Sequence, residues 1–256
     1  LGEIEQDLNS NTPMHRLVQG DVGSGKTLVA ALAALCALGN KYQAALVAPT
    51  EILAEQHRNN FETWLSALGF KVAWLAGKVT ASQKRTALAQ LQNGEANMAV
   101  GTHALFEDNV LFKNLGLVII DEQHRFGVQQ RLALRKKGGA HCPHQLVMTA
   151  TPIPRTLAMT AYADLELSII DELPPGRTPI NTVMINQNKR PQVIERVRAA
   201  CAQGQQAYWV CTLVEDSETL AAAAAEKTWE LLQAEAPELT IGLVHGRLKS
   251  REKDAV

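Results

Sequence analysis

The run Gly20-Asp21-Val22-Gly23-Ser24-Gly25-Lys26-Thr27 has the spacing G-x-x-x-x-G-K-[ST], and its residue types suit the binding of a nucleotide's phosphates. Gly20, Gly23, Ser24 and Gly25 form a loop whose backbone amides can curl around phosphate oxygens. A helix beginning where the loop ends adds the partial positive charge of its N-terminus. Lys26 would reach the β- and γ-phosphates, and the Thr27 hydroxyl would bind Mg²⁺. Hydrolysis needs a second acidic group, and Asp121-Glu122 follows the apolar run Leu117-Val118-Ile119-Ile120. Asp121 would share the Mg²⁺ with Thr27, and Glu122 would orient or deprotonate an attacking water. The implied ligands are ATP and Mg²⁺. A phosphate loop alone does not separate a kinase, a GTPase, a transporter ATPase or a motor. Glu122 disfavours a small-molecule kinase, because it promotes attack by water. A binding module gated by ATP, without motor activity, stays open on these residues.

These groups need a scaffold that brings distant segments to one edge. Short apolar runs alternate with amphipathic stretches along the chain. Strands are expected at Arg16–Gln19, Ala44–Ala48, Val72–Leu75, Met98–Val100, Leu117–Ile120, Gln145–Met148, Ala207–Cys211 and Ile241–Val244. Helices are expected from Leu28, over Glu51–Leu68 and over Thr80–Gln92. Strand–helix alternation of this kind means βαβ units and a mainly parallel sheet. Leu117–Ile120 lacks polar alternation, as a strand buried on both faces should. In such sheets ligands gather at the carboxyl ends of the strands, where both the glycine loop and Asp121-Glu122 fall.

The stretch Leu173-Pro174-Pro175-Gly176-Arg177-Thr178-Pro179 stops both helix and strand. It predicts a domain over residues 1–171, a linker over 172–180 and the start of a second domain over 181–256. That second part holds two clear strands, too few for a full sheet. Because the chain starts without Met and ends in Arg251-Glu252-Lys253-Asp254, it is expected to be a fragment.

Composition narrows the class. A chain of 256 residues with 46% hydrophobic residues can bury a sizeable core. The net charge of −1 excludes a strongly basic nucleic-acid binder; any such contact must come from a few placed groups. The most apolar stretch, Leu28–Leu38, is shorter than the roughly 20 residues of a membrane helix, no signal peptide is expected, and no membrane partner is implied. Cys36, Cys142, Cys201 and Cys211 are scattered, which fits a reducing, cytoplasmic compartment.

Asp121-Glu122-Gln123-His124 reads DEQH and resembles the DExH box of superfamily 2 helicases and translocases. Thr149-Ala150-Thr151 resembles the motif that couples hydrolysis to movement in that superfamily. Ala48-Pro49-Thr50-Glu51 and Gly101-Thr102-His103 lie where its members touch the nucleic-acid backbone. The strings from Asp121 to Val128, from Thr149 to Leu157 and from Ile169 to Arg177 are similar to a bacterial branch that moves on double-stranded DNA. The stretches Gln206–Cys211 and Gly242–Arg247 resemble the opening of that branch's second motor domain. The match runs in order through essentially the whole chain.

The resemblance implies a RecA-like parallel α/β fold followed by an incomplete second RecA-like domain. It implies an ATP-dependent motor acting as a monomer on double-stranded and branched DNA, at stalled forks and junctions in recombination and repair. Gln123 and His124 would sense the γ-phosphate. Thr149, Thr151 and Arg155 would couple hydrolysis to movement, with a structural salt bridge the other role open to Arg155. Thr50, Gly77, Thr102 and His103 would lie along the DNA backbone. The strings around Phe126 and Pro152 disfavour an RNA helicase. A wedge domain for branched DNA, the adenine-reading glutamine and the arginine fingers are expected elsewhere in a longer parent chain.

Several features have plainer readings. His141-Cys142-Pro143-His144 has an H-x-x-H spacing but no further ligands, so a loop is expected. Trp64 and Trp74 sit on core-like patterns and are expected to be buried. Lys136-Lys137 reads as a solvated pair. Packing is favoured over DNA contact for His103 and His245. Ala221–Ala225 suits a helix.

Overall fold

The computed structural model describes residues 1–77, 79–122, 126, 137–139, 142–151, 165–172, 178, 180–211, 218–245, 248, 252, 255 and 256. The chain divides into two compact units, Leu1–Thr178 and Pro179–Val256.

In the first unit the described elements are α1 (Gly2–Leu8), β1 (His15–Gly20), α2 (Lys26–Gly39), β2 (Gln43–Val47), α3 (Glu51–Ser66), β3 (Val72–Leu75), α4 (Ala81–Asn93), β4 (Met98–Gly101), a 3-10 turn (His103–Phe106), β5 (Leu115–Asp121), β6 (His144–Thr149) and β7 (Glu166–Ile170). The seven strands form one sheet in the order β3-β4-β2-β5-β6-β1-β7, and every pairing is parallel. Helices cover both faces, as a sheet with buried central strands requires. Along β5 alternate residues enter opposite cores. Leu117 and Ile119 pack with Leu46, Phe61, Leu65 and the alanines of α2. Val118 and Ile120 pack with Val47, Leu75, Ala87, Leu91 and Leu105. This is the parallel α/β layering expected from the alternating runs, and it agrees with the RecA-like first domain that the resemblance implies.

Local chemistry sets the helix starts. Thr80 and Gln83 form a reciprocal capping box on α4, and the Thr50 hydroxyl accepts from the Leu53 amide at the start of α3. Gly101 tolerates no side chain, because a Cβ there would lie 1.9 Å from the Leu75 carbonyl oxygen on the neighbouring strand. Trp64 departs from expectation: it is 39% exposed, because it lies at the rim of α3 against Phe61, ring centroids 5.9 Å apart. Trp74 is half-buried beneath the Arg58 guanidinium, 5.5 Å from the ring centroid.

Two elements had no clear signature in the sequence. Strand β7 is an edge strand whose residues are partly or fully exposed, so no apolar run marks it. Helix α1 buries only Ile4. Arg16 on β1 ties both to the sheet. It donates to Asp7 at 2.6 Å and Glu3 at 3.3 Å on α1, to Ser168 at 2.9 Å on β7, and pairs with Glu166.

His144 opens β6 rather than lying in a loop; its Nδ1 accepts the Met14 amide at 3.0 Å. Burial pushes its pKa below 6.5, with the Asp7 charge opposing. Protonation would destroy the acceptor. Because the folded-state pKa lies below the unfolded one, His144 contributes stability above the unfolded value of about 6.5 that is lost as pH falls through the folded value. The urea midpoint should therefore fall between pH 7.5 and 5 more steeply than in His144→Asn, which offers an acceptor but does not titrate. The expected excess is on the order of one neutral hydrogen bond, about 1 kcal/mol. Parallel pH profiles for the two proteins would refute this role.

The second unit contains a 3-10 turn (Gln187–Lys189), α5 (Arg190–Ala202) and α6 (Glu218–Glu235). The Trp229 indole N–H donates to the Ile241 carbonyl at 2.9 Å. Arg198 bonds Glu238 at 2.5 Å, and the Arg190 guanidinium lies 5.2 Å from the Trp209 ring centroid. Residues 207–211 and 241–244, expected as strands, are irregular; neither meets a partner strand among the described residues, and without ladder hydrogen bonds an apolar run does not become a strand. Tyr208 and Val210 are accordingly 92% and 78% exposed. The alanine run does lie in a helix, α6. No described helix is long and apolar enough to cross a membrane. All four cysteines are free.

Candidate nucleotide-hydrolysis site

The glycine loop joins the end of β1 at Gly20 to the start of α2 at Lys26. Gly23 and Gly25 have φ of 82° and 90°, a left-handed backbone that glycine adopts without steric cost. Gly20 must also lack a side chain, since a Cβ would come within 2.5 Å of Ser24 Oγ. No side chain caps the N-terminus of α2, which leaves its first amides available to an anion. Ser24 Oγ is buried with no hydrogen-bond partner among the described residues. A glycine cradle, an uncapped 14-residue helix and an orphaned hydroxyl together fit a phosphate group.

Lys26 Nζ donates to the carbonyls of Gly20 and Asp21, each at 2.8 Å. Burial lowers its pKa, opposed by the charges of Asp121, Glu122 and Asp21. Two of the three carboxylates that support the ammonium, Asp121 and Glu122, thus belong to the second acidic group. Thr27 is half-buried in the first turn of α2.

Strand β6 lies between β1 and β5, so the glycine loop and Asp121-Glu122 emerge at the same sheet edge, one strand apart. Asp121 ends β5, and its Oδ2 lies 2.7 Å from Nε2 of His57, a buried residue of α3. Glu122 has φ of 50°, a left-handed conformation that costs a non-glycine residue energy and marks functional turns. Its amide donates to the Met148 carbonyl at 2.9 Å, which turns its side chain toward the end of β6. There the carboxylate accepts from the Thr149 hydroxyl at 2.9 Å and the Ala150 amide at 3.1 Å. The Thr151 amide in turn donates to Thr149 Oγ1 at 3.1 Å. One hydrogen-bonded chain therefore runs from Glu122 into Thr149-Ala150-Thr151.

The remaining predicted residues are placed as follows. Thr50, Gly77 and His103 are exposed after β2, β3 and β4, on the carboxyl edge that also carries the glycine loop. Thr102 is buried, and its hydroxyl has no partner among the described residues. Lys137 is not a solvated lysine: its ammonium donates to the carbonyls of Glu107 at 2.7 Å and Val110 at 3.0 Å, and burial lowers its pKa. His245 is largely buried, 3.7 Å from Glu226. Gln123, His124 and Arg155 lie outside the described residues, as do Lys136, His141, Arg177 and Arg247. Sequence reasoning missed His57 and the Thr149–Glu122 bond; only the distance between segments far apart in the chain reveals them.

Residues 6–160 match the family model described as DEAD/DEAH box helicase. The chain is 62% identical over 260 residues to the ATP-dependent DNA helicase RecG of Escherichia coli O157:H7, covering 100% of this chain and 37% of that protein. It is 63% identical over 257 residues to the ATP-dependent DNA helicase RecG of Pasteurella multocida, covering 99% and 37%. The chain thus spans little more than one third of the length of the curated relatives it matches. It is also similar to a solved structure of RecG bound to a three-way DNA junction, with a TM-score of 0.78, 41% identity, and coverage of 99% of this chain and 32% of that one. The family model spans most of the first unit and more than half of the chain, and its helicase motifs meet at one sheet edge: the chain belongs to the DEAD/DEAH box helicase family.

Proposed function

We propose that this chain is the ATP-hydrolysing motor portion of a DNA translocase that acts on branched, double-stranded DNA at stalled forks and junctions, in recombination and repair. The observation that carries the proposal is the convergence of Lys26, Asp121, Glu122 and Thr149–Thr151 on one sheet edge, with Glu122 hydrogen-bonded to Thr149. The likeness to RecG proteins, one of them solved on a three-way DNA junction, supports branched DNA as the substrate.

In this reading the amides from Gly23 to Thr27, with Ser24, hold the phosphates. Lys26 leaves the Gly20 and Asp21 carbonyls to meet the β- and γ-phosphates. Thr27 and Asp121 would hold Mg²⁺, which would supply positive charge to offset that of the phosphates. A hydroxyl and a single carboxylate are oxygen donors of the kind that ion takes, since it is commonly bound through only one or two protein carboxylates. Glu122 orients the attacking water and accepts its proton. Gln123 and His124 sense the γ-phosphate. Thr149 and Thr151, reached from Glu122 through the hydrogen bonds above, pass the state of the site toward DNA, and Arg155 shares that coupling role. Thr50, Gly77 and His103 face the DNA backbone, and Thr102 supports that edge from below. The protein acts as a cytoplasmic monomer.

Steady-state ATP hydrolysis by the full-length protein tests this. Forked DNA should stimulate it most, linear duplex less and RNA least. Equal or greater stimulation by RNA would replace this reading with an RNA helicase. Nucleotide-dependent binding without strand displacement would leave a gated binding module.

A further inference from the structure

Asp121 is held by a neighbour that lies outside the motif strings quoted above. His57 lies on α3, is 6% exposed, and places Nε2 2.7 Å from Asp121 Oδ2. It is 64 residues away in sequence. Its other ring nitrogen, Nδ1, is buried with no partner among the described residues. An unmatched buried N–H is rarer and costlier than an unmatched acceptor lone pair. The tautomer that fits therefore carries its proton on Nε2 and donates it to Oδ2.

The carboxylate of Asp121 is then fixed through one oxygen, Oδ2, while Oδ1 has no hydrogen-bond partner among the described residues. A lysine or arginine at the same place would also fix it, but would compete with a metal for its charge; a histidine N–H orients without adding a full positive charge. The contact reaches back into the fold. Phe61, one turn further along α3, is fully buried against Leu46, Leu117 and Ile119 of the central strands. The helix that carries the imidazole is thereby anchored to the strand that carries the carboxylate.

We propose that His57 is a positioning residue for the metal site: it holds Asp121 in the orientation in which its free oxygen binds the Mg²⁺ that accompanies the nucleotide. This rests on the ATPase reading above. Partners that orient a metal ligand typically contribute 10–100-fold to metal affinity.

The test uses the full-length protein, Mn²⁺ as a spectroscopic probe for Mg²⁺, and two variants. His57→Gln can place an amide N–H near the position of Nε2. His57→Asn is polar and of similar bulk but falls short by one methylene. Three quantities are read: Mn²⁺ affinity in the presence of ADP by electron paramagnetic resonance, ADP affinity in EDTA, and the Mg²⁺ concentration for half-maximal ATP turnover. His57→Asn should weaken Mn²⁺ binding about 10–100-fold and raise the Mg²⁺ requirement in step, with metal-free ADP affinity unchanged. His57→Gln should recover most of the loss. Unchanged Mn²⁺ affinity in His57→Asn would overturn the proposal, as would an equal fall in metal-free ADP affinity, which marks a merely structural residue. If the unsubstituted protein binds no Mn²⁺ with ADP, the ATPase reading itself fails and this proposal with it.

Discussion

Lys26→Ala in the full-length protein is expected to remove ATP turnover, a loss of about 10³-fold or more, with or without forked DNA. Lys26 is the one side-chain ammonium of the glycine loop, and the transferred phosphoryl spreads negative charge over its oxygens. Removing a single neutral donor from such a site costs about 10²–10³-fold, and a charged donor contributes more than a neutral one. Fold damage should not confuse the result. Among the described residues Lys26 Nζ bonds the Gly20 and Asp21 carbonyls alone, which lie in a loop with exposed neighbours at Val22 and Gly23 and can be met by water. The thermal midpoint should therefore move little. Steady-state hydrolysis and ADP affinity are the measurements, and turnover within tenfold of the unsubstituted protein would refute the assignment of the phosphate loop.

Glu122→Gln should separate binding from chemistry. Loss of a positioned general base costs about 10²–10⁴-fold in kcat, whereas the hydrogen bonds described above for Glu122 run to Met148, Thr149 and Ala150 at the end of β6, and its charge reaches Lys26 of the phosphate loop without replacing that ammonium on the phosphates. The local hydrogen bonds can survive the change. The glutamine oxygen can accept the Ala150 amide, and its NH₂ can donate to Thr149 Oγ1, because a hydroxyl accepts as well as donates. The strained backbone at Glu122, φ 50°, is the same for either side chain. ADP and ATP affinities should thus stay within about twofold, a few tenths of a kcal/mol, while single-turnover hydrolysis collapses. A parallel loss of nucleotide affinity would show that Glu122 helps hold the nucleotide or its metal. Retained hydrolysis would hand the base role to another group.

Much of the site could be read before any coordinates. The phosphate loop is local: all its parts lie within eight consecutive residues, and the glycine positions are dictated by backbone sterics. Asp121 and Glu122 were legible because a run buried on both faces, Leu117–Ile120, can only be a central strand, and the residues that follow it must lie at the ligand edge. The same logic located β2, β4 and β6, whose residues are almost all buried.

What the sequence left undecided depends on contacts between distant segments. Strand β7 is amphipathic, exposed and at an edge, so its identity comes from pairing with β1. The segments 207–211 and 241–244 show the converse, since apolar residues that meet no partner strand among the described residues stay irregular. Lys137 was legible as a charge, but only the fold brings two carbonyl oxygens to it.

The amino-acid sequence by itself determined which residues can do the chemistry, because the phosphate loop and the strand-end acids owe their properties to residue type and to neighbours in the chain. Only the tertiary structure decided how those residues are aimed. The Thr149 hydroxyl meets Glu122 across 27 residues, and His57 meets Asp121 across 64. Such pairs are set by strand order and by the packing of α3 onto the sheet, and a hydrogen bond requires its two atoms to be fixed to within a few tenths of an ångström. No local pattern in a chain encodes that precision; it arises when the two cores on either face of β5 close and leave each side chain one place to go.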